Sequence, residues 1–281
     1  MASSQIISAD SLVDMLISAF DKSSIDQFRQ FLAKHSGVTK WIIACDFVLN
    51  GFDALNDAYA YTFFPYNAEI KQLKANIKRI ASKDFKKTKA INPMLAKFFQ
   101  SGETFTLCLL THKKFRPAGN INIVRLSLDN TINNMRSWQD AEQQKPLIRQ
   151  FEQLKERARS NNFNAQLMST MLTATVLAAF CAVMLARERK IDFVGWFPDR
   201  DNIFTSYNSI AHHMFNVNFS SFCQRYGIDH RQVKLGIGLP EPDPFNLKQS
   251  WYDELVRIPD FVAGPLSGWD YTKNLGRSMW T

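Results

Sequence analysis

Three aspartates interrupt three strongly apolar stretches of this chain: Asp46 within "WIIACDFVLN", Asp199 after "IDFVGWFP", and Asp260 inside "VRIPDFVAGPL". An ionised carboxylate among such neighbours is costly unless it is paired, placed at the end of an element, or bound to a cation. Hard oxygen donors brought together from distant parts of a chain suit Mg2+ or Mn2+, and metal ions held this way are suited to phosphodiester cleavage. Asp201, two residues beyond Asp199, is a further candidate ligand. The structural alternative treats each aspartate separately. Asp201 could cap a helix starting at Asn202, since a short side-chain oxygen accepts from the unpaired N–H groups of a first turn. Arg200 and Arg257 could serve as ion-pair partners. Residue types and spacing leave both readings open.

A second feature is cationic. Between Lys71 and Lys89, "KQLKANIKRIASKDFKKTK" carries eight basic residues and a single acid, Asp84, so the run is either a solvated helix face or a footprint for phosphates. On the second reading Lys74, Lys78, Arg79, Lys83, Lys87 and Lys89, with Arg200, would hold a nucleic-acid backbone without reading its sequence. Lys113, Lys114 and Arg116 would extend the patch. The formal net charge of +8 agrees with a polyanionic partner.

These residues need elements to position them. Residues 9–35 read as two short amphipathic helices, forming a helical N-terminal extension over residues 1–38, with residues 39–281 as the main domain. The extension offers a surface for a protein partner. "TKWIIACDFVL" and "AYAYTFFPY" read as strands of a hairpin around a long loop, 67–82 and 92–101 as helices, and 104–112 as a third strand. A mostly helical stretch follows, roughly 126–190. Then come the strand before Asp199, a helix over 202–215, a short strand in "VKLGIGL", and a final helix interrupted at Pro259. Strands in a hairpin first and alternating with helices later indicate a mixed α/β sheet.

Residues 162–186 contain no charge and are long enough to cross a bilayer. Asn162, Asn164, Gln166 and several hydroxyl residues in the first half, with basic residues on both flanks, favour instead a helix buried against a sheet, and no membrane association is expected. Cys45, Cys108, Cys181 and Cys223 are widely spaced and show no zinc-ligand pattern, which points to free thiols in a reducing, cytoplasmic setting. The start "MASSQIISADSLVDML" lacks the basic and apolar regions of a secretory leader. Phosphate-loop, dinucleotide-binding and nucleophile-elbow motifs are missing, which disfavours nucleotide-driven motors and common serine hydrolases. His212 and His213 are adjacent on an expected helix, point about 100° apart, and read as ordinary histidines.

The order of these elements, with "PDRD" at 198–201 and "PDFVAG" at 259–264, resembles the ribonuclease H-like superfamily. Within it the chain is similar to a group of prokaryotic proteins with an Asp-Glu-Ser-Gly first strand and a C-terminal Ala-Asp-x-x-Ala-Gly helix. The resemblance covers about residues 39–270. It implies a metal-dependent nuclease or other phosphodiester-processing enzyme, with Asp46, Asp199 and Asp260 holding Mg2+ or Mn2+. It also aligns Asp84 and Lys86 of "KDFKKTK" with a Glu-x-Lys element, making Asp84 a further ligand and Lys86 a catalytic cation. The substrate would be DNA or RNA. "CDFVLNG" departs from the first motif: Phe47 stands where a Glu is expected. This departure supports the alternative of an inactive binding or scaffold protein with the same fold.

Overall fold

The computed structural model describes residues 9–49, 51, 54–88, 90–112, 120–138, 140–199, 202–238, 250–270, 273 and 275–276. In chain order the elements are α1 (Ala9–Ser23), α2 (Ile25–Lys34), β1 (Lys40–Val48), β2 (Asn56–Pro65), α3 (Ile70–Ile80), α4 (Pro93–Gln100), β3 (Phe105–His112), α5 (Ile121–Arg136), α6 (Lys145–Arg157), α7 (Ala165–Glu188), β4 (Phe193–Pro198), α8 (Asn202–Arg225), β5 (Lys234–Ile237), α9 (Asp253–Ser267), β6 (Trp269–Asp270) and β7 (Leu275–Gly276). A 3-10 turn, Phe85–Lys87, precedes α4, and another, His230–Gln232, precedes β5. The chain divides into two compact units. A helical unit comprises residues 1–25, 117–187 and 202–230, and a sheet unit comprises 26–116, 188–201 and 231–281.

The sheet unit is built on a five-stranded sheet of order β3-β2-β1-β4-β5. β2 runs antiparallel to both β1 and β3, whereas β4 lies parallel to β1 and β5 parallel to β4. β1 and β2 therefore sit inside the sheet with both faces covered, which explains their nearly unbroken apolar sequences. Trp41 to Cys45 and all of β2 are buried. Side chains alternate between the faces. Ile42, Ala44, Phe64 and Phe197 pack with residues of α3, α4 and α9 on one side. On the other, Phe28 of α2 meets Phe63 and Phe105, and Phe31 meets Trp41, with ring centroids between 5.1 and 5.5 Å apart. α2 thus belongs with the sheet and α1 with the helical unit, so the division between units runs through the N-terminal pair of helices.

α9 continues through both Pro259 and Pro265, where an interruption at Pro259 was expected. A proline inside a helix costs about 3 kcal/mol or more. Leu255, Val256, Ile258 and Phe261, all buried against the sheet, tie together the turns on either side of Pro259 and offset that cost. Gly264 has a packing reason: a β-carbon there would stand 2.3 Å from the Phe85 ring, so the missing side chain lets the 3-10 turn seat on α9.

In the helical unit, Arg187 pairs with Asp21 and Arg225 with Asp14, each at 2.5 Å, which fixes α1. α7 contains most of the charge-free segment; its apolar window is 72% buried, though it is long and apolar enough to cross a membrane. α8 begins at Asn202 as expected but extends to Arg225. It is broken at Tyr207, Asn208 and Ser209, which all take positive φ. Tyr207 stacks on Phe163 at 5.3 Å and lies beside the Arg157 guanidinium, contacts that hold this left-handed turn. His212 is buried, and burial brings its imidazole down to about 4, leaving it neutral at physiological pH. All four cysteines are free, and burial pushes the Cys108 and Cys223 thiols up to about 12.

Candidate carboxylate site

Asp46 follows the even-numbered residues Ile42 and Ala44 on β1, so alternation aims it at the face covered by α9. The parallel register pairs Ala44 with Phe197 and Cys45 with Pro198. Beyond the strand end, the Asp199 N–H donates to the Cys45 carbonyl at 3.0 Å, continuing the ladder by one step. Asp199 therefore emerges next to Asp46, on the same face as Phe197. Asp260 enters from above. It lies on α9 between Ile258 and Phe261, which pack on one stretch of the sheet, and Ala263, which packs on Ala58 and Ala60 further along. Ala60 is the cross-strand partner of Asp46. Three segments remote in sequence thus deliver their aspartates to one place.

The electrostatics record the convergence. Asp46 is half-buried, and its proton affinity is pushed up to about 8, first by burial and then by the negative charges of Asp199 and Asp260. Its own neighbour opposes this in part, the Phe47 N–H donating to Oδ1 at 2.7 Å. Burial also raises Asp260, helped by the charges of Asp84 and Asp199 and opposed by hydrogen bonds from the Phe85 N–H and the Asp46 carboxyl. Asp46 and Asp260 therefore titrate together, and burial with the neighbouring negative charge holds both above the usual carboxylate range. The Phe85 N–H reaches Asp260 Oδ2 at 2.6 Å, tying the carboxylate to the 3-10 turn.

Asp84 stands just before that turn. It is exposed and paired with Lys87 at 2.7 Å, and its charge acts on Asp260 without displacing the pairing. Its backbone carbonyl, not its carboxylate, makes the local turn contacts, accepting from the Lys87 N–H and the Thr88 hydroxyl. Lys86 is exposed on the same turn. Among the described residues no three His, Cys, Asp or Glu side chains are gathered tightly enough to enclose a metal ion as they stand. Asp199 is exposed. Arg200, Asp201 and Lys89 lie outside the described residues, and so do Lys113, Lys114 and Arg116.

The remaining cations follow α3. Lys78, Arg79 and Lys83 are exposed, with Arg79 also bonded to the Asn76 side chain at 3.0 Å. Lys74 is instead committed to Glu254 at 3.4 Å and to the Trp251 carbonyl. Arg257, one turn before Asp260 on α9, donates to the Ala81 carbonyl at 3.0 Å and pins the end of α3 beside the site. The sequence offered Arg257 as an ion-pair partner for the aspartates, and its bond to Ala81 gives it a positioning role beside them.

Comparison with protein-family models, with curated proteins and with solved structures gave no match. Function must therefore be argued from the site itself.

Proposed function

We propose that this chain is a divalent-metal-dependent nuclease, or another enzyme that processes phosphodiesters in nucleic acid, with a ribonuclease H-like sheet domain. One observation carries the reading: Asp46, Asp199 and Asp260 come from β1, the end of β4 and α9, yet lie close enough that the charges of Asp199 and Asp260 raise the proton affinity of Asp46 and the charge of Asp199 raises that of Asp260. A fold gains no stability from crowding like charges, and such clusters concentrate at functional sites. The element order supports the ribonuclease H-like assignment. A three-strand meander led by the Asp46 strand is followed by helices, by β4 alongside β1, and by the final helix bearing Asp260.

The donor set fits Mg2+ or Mn2+, which prefer carboxylate oxygens. Asp46, Asp199 and Asp260 would hold the ion, with Asp84 and Asp201 beside them; when bound, it supplies Lewis acidity and a more acidic water. The protein's own contribution is positional. Asp46 and Asp260, both held above the usual carboxylate range, would be ionised by the approach of positive charge. Phe85 fixes Asp260, and Lys86 and Arg200 offset phosphate charge. The basic face of α3 and the turn after it hold the backbone of DNA or RNA. Four free thiols suit a reducing, cytoplasmic compartment.

The test is incubation with labelled DNA and RNA, single-stranded and duplex, with Mg2+ or Mn2+ and with EDTA, for the wild type and Asp199→Asn. Metal-dependent cleavage by the wild type alone is expected. A specific observation favours a second reading, a binding protein without chemistry. Phe47, where the resemblance calls for Glu, packs against Tyr59 and Tyr61 at 5.4 and 5.7 Å and adds no ligand. Binding unaffected by EDTA, with no cleavage of any substrate, would establish that reading instead.

A further inference from the structure

Lys71, Lys74 and Lys78 occupy one stripe of α3 and, with Ala75 and Glu254 of α9, line an open hollow of about 220 Å³. Beside it stand two large aromatic residues facing solvent, Trp251 next to Lys74 at 44% exposure and Tyr66 at 41%. Their ring centroids are 6.5 Å apart. Trp251 is braced from behind, edge-on to Phe197 at 5.0 Å and to Tyr252 at 5.8 Å, so a heavily exposed indole is nonetheless held in place. The Lys74 ammonium lies 5.5 Å from the centre of the indole. Glu254 is neutralised by Lys74, so the charge of the hollow is carried by Lys71 and Lys78, neither of which has an ion pair among the described residues.

The hollow also has a direction. α3 starts four residues after Tyr66 and ends where Arg257 holds the Ala81 carbonyl. Four residues further on, the Phe85 N–H meets Asp260. A ligand lying along the stripe from Trp251 is thereby led to the carboxylates. Lysines alone would accept any polyanion, but exposed aromatic faces are useful only to bases that are not already stacked in a helix.

We propose that the α3–α9 hollow is a track for single-stranded nucleic acid. Bases stack on Trp251 and Tyr66, Lys71 and Lys78 take the phosphates, and the strand runs on toward Asp46, Asp199 and Asp260. The direction of the track rests on the nuclease reading; the strand preference does not. The full chain, in EDTA, is titrated into three fluorescein-labelled probes of about 12 units, a length within the range that strand-binding grooves cover. These are oligothymidylate, an abasic strand with the same phosphates, and a duplex.

Oligothymidylate is expected to bind about tenfold or more tightly than the abasic strand, with Trp251→Ala removing most of that gap and Trp251→Tyr keeping it. Joint replacement of Lys71 and Lys78 by Ala weakens both single strands and lowers the log–log salt slope by about 1.4. Tyr66→Ala, at an exposed ring, reads out the same gap should Trp251→Ala fail to fold. Equal binding of thymidylate and abasic strands, or tighter binding of the duplex, overturns the track. A base preference that persists in a protein unable to cleave leaves the track standing and removes the nuclease reading. Metal-dependent cleavage without any base preference does the reverse.

Discussion

Replacing Asp46 by Asn isolates the strain in the carboxylate cluster. In the metal-free wild type the folded Asp46 keeps its proton up to about pH 8, whereas the unfolded chain releases it near the ordinary carboxylate value of 3.8. Between those limits the native state binds the extra proton, so stability is greatest below the lower limit and declines as pH rises toward the upper one. The decline is about 1.4 kcal/mol for each pH unit while the difference is complete, or about 2–3 kcal/mol between pH 5 and 7. Asn cannot titrate, keeps an oxygen to accept from the Phe47 N–H, and can still donate to Asp260. Urea unfolding in EDTA at half-unit pH intervals should show this slope in the wild type and lose most of it in Asp46→Asn, which becomes the more stable protein at pH 8. A slope unchanged by the substitution would mean that Asp46 is not held among other carboxylates and that the three aspartates do not form one site.

Mn2+ at millimolar concentration should raise the melting temperature of the wild type by mass action, and Asp199→Asn or Asp260→Asn should abolish that response while leaving the metal-free protein as stable or more so; thermal melts with and without the ion decide this. Joint replacement of Lys78, Arg79 and Lys83 by Ala should weaken nucleic-acid binding and reduce its dependence on log salt by about one for each phosphate no longer neutralised, with the unfolding midpoint unchanged. Gly264→Ala should destabilise by about 1–3 kcal/mol because the new methyl group overlaps the Phe85 ring, measured by denaturant unfolding.

Asp46, Asp199 and Asp260 stood out in the sequence because each breaks an apolar run that burial alone would have kept intact, but spacing left separate roles for them open. Alternation along β1 sets the face on which Asp46 lies, two residues after Ala44. Most strand and helix ends followed from periodicity to within three residues, as at α3, but α8 runs ten residues past its expected end at Phe215. Two things were hidden. Pro259 reads locally as a helix breaker, and only the packing of Val256 and Phe261 on a sheet assembled from distant segments keeps α9 continuous. The aromatic pair was also invisible, since nothing in "FFPYN" or "QSWYD" shows that Tyr66 and Trp251 will be neighbours or face solvent. Asp84 illustrates a subtler limit: the sequence placed it near the site, but its carboxylate is engaged by Lys87, a partner available to any exposed acid three residues away.

The helical unit is assembled from three separate stretches of chain, and residues 188–201, which carry β4 and Asp199, pass between two of them. No single cut can therefore release either unit intact. A truncation long enough to remove one unit, from either terminus, takes parts of the other with it, and a nick in the 188–201 passage separates Asp199 from one of its flanking connections without shortening the protein. Excising the helical unit to ask whether the sheet binds metal unaided would require two internal joins, one on each side of β4. The strand that completes the carboxylate cluster is thereby joined to the rest of its own unit only through the chain of the other, on both of its sides in sequence.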